Sequence, residues 1–170
     1  MDEHAFDRHE KLVKKVEGHE WDDLKKEAKS SRFKFGRSKG NVGVICNGRG
    51  LAMTTMDALE KYQGDMANYV AVQGGAAALD MHRAISIVTK DAHVKGLYIN
   101  IFGGLTRCDA VAKGVLEVML RKRIDMPVVI RFAGTNAKEA KKMIANTTLI
   151  ATDSVEDGAK KILQMIRAAY

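Results

Sequence analysis

From Asn41 onward this 170-residue sequence predicts an α/β fold, a doubly wound five-stranded parallel sheet, preceded by a charged, partly helical extension. Three observations predict it. Short apolar runs, most of them rich in β-branched residues, alternate with stretches whose apolar residues recur at helical spacing. The runs Leu97-Tyr98-Ile99 and Val128-Val129-Ile130 are continuous rather than alternating, as in strands covered on both faces. Strand and helix follow each other in regular order, which builds right-handed crossovers and a parallel sheet.

The first forty residues differ from the rest, and the chain divides into 1–40 and 41–170. Helical stretches are expected at 10–16 and 21–29, with a break at Gly18. Their apolar faces are small: Leu12, Val13 and Val16 in one, Trp21, Leu24 and Ala28 in the other. Lys29, Arg32, Lys34, Arg37 and Lys39 then form a basic arm with no acidic residue among them. A second basic cluster is Arg121-Lys122-Arg123.

Strands are expected at 42–46, 68–72, 96–102, 127–132 and 148–151, and helices at 51–62, 77–89, 110–122, 137–145 and 155–169. In the last helix Val155, Ala159, Ile162, Leu163 and Ile166 form one apolar stripe. Ser154, with Asp157 three residues on, marks its start.

Hydrophobic residues make up 46% of the chain and charged ones 29%, the mix of a soluble globular protein. The formal net charge of +7 admits an acidic partner, or nucleic acid through the basic arm. The opening Met1-Asp2-Glu3-His4 is acidic where a secretory signal or presequence would be basic, and no apolar run approaches ~18 residues. The expected compartment is therefore the cytoplasm, or the mitochondrial matrix if a presequence has been removed, and no membrane span is expected. Cys46 and Cys108 lack metal-binding spacing and read as free thiols.

Two segments carry candidate chemistry. Cys46-Asn47-Gly48-Arg49-Gly50-Leu51 and Gly103-Gly104-Leu105-Thr106-Arg107-Cys108-Asp109 each follow a strand and lead into a helix. Glycines permit close backbone approach, and a helix N-terminus offers unpaired N–H groups to an anion. With strand order 2-1-3-4-5 the two loops are neighbours at the point where ligands bind such sheets. Asn47 is a candidate donor, and Arg107 a candidate bidentate partner or a surface ion pair. A third segment, Gln73-Gly74-Gly75, has no lysine for a phosphate, and no GxxxxGK[ST] occurs, so independent nucleotide binding is not supported.

Several motifs in one order resemble a known family. Asn47-Gly48-Arg49-Gly50-Leu51-Ala52-Met53 with Thr55-Met56-Asp57, then Asn100-Ile101-Phe102-Gly103-Gly104 with Arg107-Cys108-Asp109, then Gly134-Thr135-Asn136, look like the C-terminal ligase domain of succinyl-CoA synthetase β subunits. The resemblance implies a flavodoxin-like domain whose loops bind the acid substrate and face a phosphohistidine carried by an α-type subunit. It implies a substrate-binding set of Asn47, Gly103, Gly104, Leu105, Thr106 and Arg107, with no catalytic residue or metal ligand in this chain. CoA, and ATP or GTP with Mg, are expected on partner domains rather than here.

The sequence also departs from the family. Val70-Ala71-Val72-Gln73-Gly74-Gly75 stands where Leu-Asp-Val-Gly-Gly-Gly is usual, Arg49 replaces alanine, Thr106 valine and Ala133 glutamate. Two readings follow: a component of an acid–CoA ligase that pairs with an α-type subunit, or a non-catalytic relative serving as a structural or assembly subunit of a larger complex.

Overall fold

The computed structural model describes residues 23–122 and 124–170. The helix expected at 10–16, Trp21 of the next and Arg123 lie outside them. In chain order the elements are α1 (Asp23–Ser30), β1 (Lys34–Arg37), β2 (Val42–Cys46), α2 (Arg49–Lys61), β3 (Met66–Ala71) and α3 (Ala78–Thr89). They continue with β4 (Gly96–Gly103), α4 (Cys108–Arg121), β5 (Val128–Gly134), α5 (Ala137–Ile144), β6 (Ile150–Thr152) and α6 (Val155–Ala169). Among the described residues no helix is long and apolar enough to cross a membrane.

The strands form one sheet in the order β1-β3-β2-β4-β5-β6. β2 to β6 are mutually parallel, and β1 runs antiparallel to β3 at the edge. The five βα units thus keep the expected 2-1-3-4-5 order, while the expected strand count of five is corrected to six. The additional strand is the Lys-Phe-Gly-Arg run inside the basic stretch. Lysine and arginine on an edge strand face water and discourage pairing with other chains, so its charge concealed its conformation. Phe35 packs against the core. Gly36 makes room for the Tyr69 ring, since a Cβ there would lie 2.4 Å from Tyr69 Cε1.

Side chains alternate between two apolar layers. On β2, Val42, Val44 and Cys46 face a layer with Ala52 and Leu59 of α2 and Ala159 and Ile162 of α6. Ile45 faces the opposite layer, built from Ala28 of α1, Met81 and Ile85 of α3, Val111 and Val115 of α4, and Ala140 and Ile144 of α5. Helices thus cover both faces, which is why the central strands read as continuous apolar runs.

The stripe expected on the last helix is buried at Ala159, Ile162, Leu163 and Ile166. Ser154 Oγ accepts the Asp157 N–H at 3.0 Å, satisfying one of the helix's unpaired donors. Tyr98 donates its hydroxyl to the Val155 carbonyl at 3.0 Å.

At the amino end of the sheet a buried polar knot holds the edge strand. The Asp91 side chain, 2% exposed, meets the Arg37 guanidinium of β1 at 3.3 Å. It also accepts from Asn68 Nδ2 at 3.1 Å and from the His93 N–H at 3.0 Å. His93 Nδ1 lies 2.9 Å away. Burial by itself raises the Asp91 pKa, but the bonds from His93 and Asn68 and the charge of Arg37 outweigh it, and the carboxyl falls to about 2.

Candidate functional site

The three glycine segments meet at the carboxyl ends of β2, β3 and β4, each leading toward its own helix. Side chains tie them to one another. Asn47 grips the backbone of Phe102 from both sides: its Nδ2 donates to the Phe102 carbonyl at 2.6 Å, and its Oδ1 accepts the Phe102 N–H at 2.8 Å. Thr106, 1% exposed, accepts the Gly75 N–H on Oγ1 at 3.1 Å. A Cβ on Gly74 would sit 3.9 Å from Leu105 Cδ1, so these two loops lie side by side.

A second crossing braces the loop after β4. The Thr135 N–H donates to the Gly103 carbonyl at 3.1 Å, and the Cys108 N–H, at the head of α4, donates to the Thr135 carbonyl at 3.1 Å. Gly134 has φ +85°, in the left-handed region, and a Cβ on it would meet the Gly103 oxygen at 2.1 Å. Gly103 is equally constrained, because its own Cβ would meet Thr135 N at 2.6 Å. These two glycines allow the ends of β4 and β5 to touch.

Arg107 turns to Asp109. Its Nε and a terminal nitrogen donate to the two carboxylate oxygens at 3.2 and 2.7 Å. Asn136, itself left-handed with φ 60°, adds a donor to Asp109 at 3.1 Å. The Arg107 hydrogen bonds, then that of Asn136, hold the Asp109 carboxyl down at about 2. The same pairing raises the Arg107 pKa. The residues 104–107 therefore present backbone rather than a projecting cation. Gly104 faces open space, and the N–H groups of Gly104, Leu105, Thr106 and Arg107 have no hydrogen-bond partner among the described residues. They precede the N-terminus of α4, whose dipole favours negative charge by about 0.3–1 kcal/mol at an exposed position.

Beneath the loops a line of polar groups crosses the sheet in register, from Cys46 to Asn100 to Arg131. Asn100, fully buried, donates to Thr55 Oγ1 at 2.9 Å and accepts from Arg131 at 3.3 Å. Thr55 in turn donates to the Leu51 carbonyl at 2.7 Å, which fixes the first turn of α2. Burial pushes the Cys46 thiol up to about 12, so it stays protonated and chemically quiet. Burial raises the Cys108 thiol as well.

The six residues expected at the site fall into distinct places. Gly104, Leu105 and Arg107 lie exposed on the loop, Gly103 and Thr106 lie buried behind it, and Asn47 is half-buried between. Sequence reasoning missed three supports: Thr135, just past the end of β5, and Asn100 and Arg131, in the middle of β4 and β5. It also missed exposed apolar side chains near these loops: Phe102 is 56% exposed and Leu105 89%.

Thr106→Val keeps shape but removes the acceptor for Gly75. The expected loss is about 1 kcal/mol in urea unfolding, with chemical-shift changes at the Gly75 amide. An unchanged Gly75 amide would contradict this bond.

Comparison with known proteins adds independent observations. The family model described as CoA-ligase matches residues 45–163. The succinate–CoA ligase [ADP-forming] subunit beta of Bacillus cereus is 37% identical over 168 residues, covering 98% of this chain and 44% of the relative. A Bacillus anthracis protein of the same name aligns equally well. The alignments take in the charged N-terminal segment, and the chain spans less than half the length of the curated relatives it matches. Among solved structures, ATP citrate lyase of Methanosaeta concilii superposes with TM-score 0.65 at 15% identity, over 83% of this chain and 42% of its own. A dinucleotide-forming acetyl-coenzyme A synthetase of Ca. Korarchaeum cryptofilum superposes with TM-score 0.64 at 17% identity, over 78% of this chain and 34% of its own. These two share the fold.

Proposed function

Since this chain belongs to the CoA-ligase family, we propose that it works as one component of an acid–CoA ligase of the succinyl-CoA synthetase type, supplying acid- and phosphate-facing loops and a surface for an α-type subunit. One observation carries the reading. The N–H groups of residues 104–107 have no partner among the described residues and lead into the N-terminus of α4, Gly104 faces open space, and Phe102 and Leu105 of the same segment are exposed. Donors suited to a carboxylate or phosphate thus share a segment with apolar side chains suited to a protein partner. CoA, and ATP or GTP with Mg, are assigned to partner domains. This chain's part is to orient the acid and exclude water from it.

A non-catalytic role as an assembly subunit keeps support from the side chains. Asn47 is bound to Phe102 and Arg107 to Asp109, and Ala133 supplies no carboxylate. Titration of the isolated chain with succinate and with phosphate, followed by NMR, separates the readings. Saturable shifts confined to Asn47 and residues 103–107 are the result expected of a ligase component. Silence at millimolar ligand, both alone and with an α-type subunit present, favours the assembly role.

A further inference from the structure

A second cleft lies at the opposite end of the sheet from the glycine loops. It has a volume of about 600 Å³, within the range of small-ligand sites, and opens where the chain enters β2 and β4. Its floor is apolar, made by Leu163 and Ile166 of α6. Lys39, His93, Lys95 and Arg167 line its walls, with Asp65 as the one carboxylate among the lining residues.

Lys39, Lys95 and Arg167 have no carboxylate partner among the described residues, whereas His93 is paired with Asp91. Arg167 donates to the Tyr62 and Gln63 carbonyls at 3.1 and 3.5 Å, which offsets the negative end of α2. Lys95 stands 5.4 Å from the centre of the Tyr170 ring. Asp65 is bonded only through its backbone, its carbonyl accepting the Asn41 and Val42 N–H groups at 3.1 and 3.2 Å. His93 is anchored by Asp91. The cleft therefore concentrates positive charge over an apolar floor.

Its walls are also conformationally committed. Gln63 holds φ 59°, a left-handed conformation uncommon outside glycine, at the turn that leaves α2. Gly64 lets that turn lie on Leu163, where a Cβ would meet Cδ2 at 2.3 Å, and a Cβ on Gly40 would meet the Asp65 oxygen at 2.0 Å. Backbone held in such conformations recurs where ligands are clamped.

We propose that this cleft binds a small polyanion bearing two or more phosphate or carboxylate groups. Several separated cations suit a ligand with several charges better than a single monovalent ion. The site is independent of the acid-facing loops, so each reading stands or falls alone.

The test is NMR titration of the full chain with inorganic pyrophosphate and, separately, citrate. Saturable shifts are expected at the Gly40, Asn41 and Gly64 amides, and the tighter of the two probes identifies phosphate or carboxylate as the recognised group. The charge-reversed pair Lys39→Glu/Lys95→Glu should weaken binding about tenfold or more. A control pair outside the cleft, Lys142→Glu/Lys160→Glu, changes net charge equally and should leave the affinity within about twofold. Equal weakening by both pairs would reduce the effect to overall charge and overturn the proposal. So would the absence of cleft shifts with both probes, or shifts at residues 103–107 alone.

Discussion

Gly134→Ala is expected to destabilise the chain by about 3 kcal/mol or more and to disturb the 103–107 loop in the same step. Two costs combine. At φ +85° an L-residue pays for a left-handed conformation, and the new Cβ would lie 2.1 Å from the Gly103 oxygen, which is backbone and cannot swing aside. Relief requires β4 and β5 to part at their carboxyl ends. That breaks the bond from Thr135 N to Gly103 O and loosens the Cys108 N–H bond that seats α4. Gly104→Ala, one residue beyond Gly103, enters open space and should change stability by no more than about 0.5 kcal/mol. Urea midpoints for the two variants give the contrast, and equal midpoints would remove the close crossing of β4 and β5 from the account.

Asp91→Ala is expected to cost about 3 kcal/mol. The carboxylate is 2% exposed and collects bonds from Asn68, His93 and Arg37, and its removal leaves the buried Asn68 amide with only the Val88 carbonyl at 3.3 Å. Arg37 is 45% exposed and can turn to water, which keeps the loss at the lower end of the range for a broken buried pair. The same group makes stability depend on pH. Its pKa falls from an ordinary value near 3.8 to about 2 on folding, so the stabilisation is complete above about pH 4 and is lost as pH drops toward 2. That shift is worth roughly 2–3 kcal/mol. Urea midpoints measured from pH 5 down to about pH 2 should fall steeply for the wild type and more gently for Asp91→Ala. Parallel curves would assign the acid loss to other carboxylates.

Most of the central architecture was legible because burial on both faces leaves a strong signature. Leu97-Tyr98-Ile99 and Val128-Val129-Ile130 could only be strands of a covered sheet, and the stripe on α6 could only face a core. β1 was illegible for the opposite reason. Four residues with a cation at each end carry no alternation long enough to read, and their pairing with β3 depends on contacts made by Phe35 and Arg37 across the fold.

The candidate site was legible in its glycines and not in its bonds. Gly103 and Gly104 look alike in sequence, yet one is locked against Thr135 while the other faces solvent. Asn47 reads as a free donor until Phe102 lies beside it, and of the two roles the sequence leaves open for Arg107, anion ligand or surface ion pair, the structure shows the pair with Asp109. Gln73, an apparent loss of a glycine, donates to the Arg32 carbonyl at 3.2 Å and fastens the turn before β1. Each of these depends on a neighbour distant in the chain or on a rotamer, neither of which periodicity encodes.

The central claim is that the carboxyl end of this sheet is a docking face for an α-type ligase subunit. Sedimentation velocity of the chain mixed with the α subunit of a succinate–CoA ligase tests it most directly, using wild type and Leu105→Asp. Leu105 is 89% exposed, so the substitution should leave the fold intact. A stable complex with the wild type that dissociates with Leu105→Asp is the result the account requires; no complex with either, or one indifferent to position 105, would contradict it.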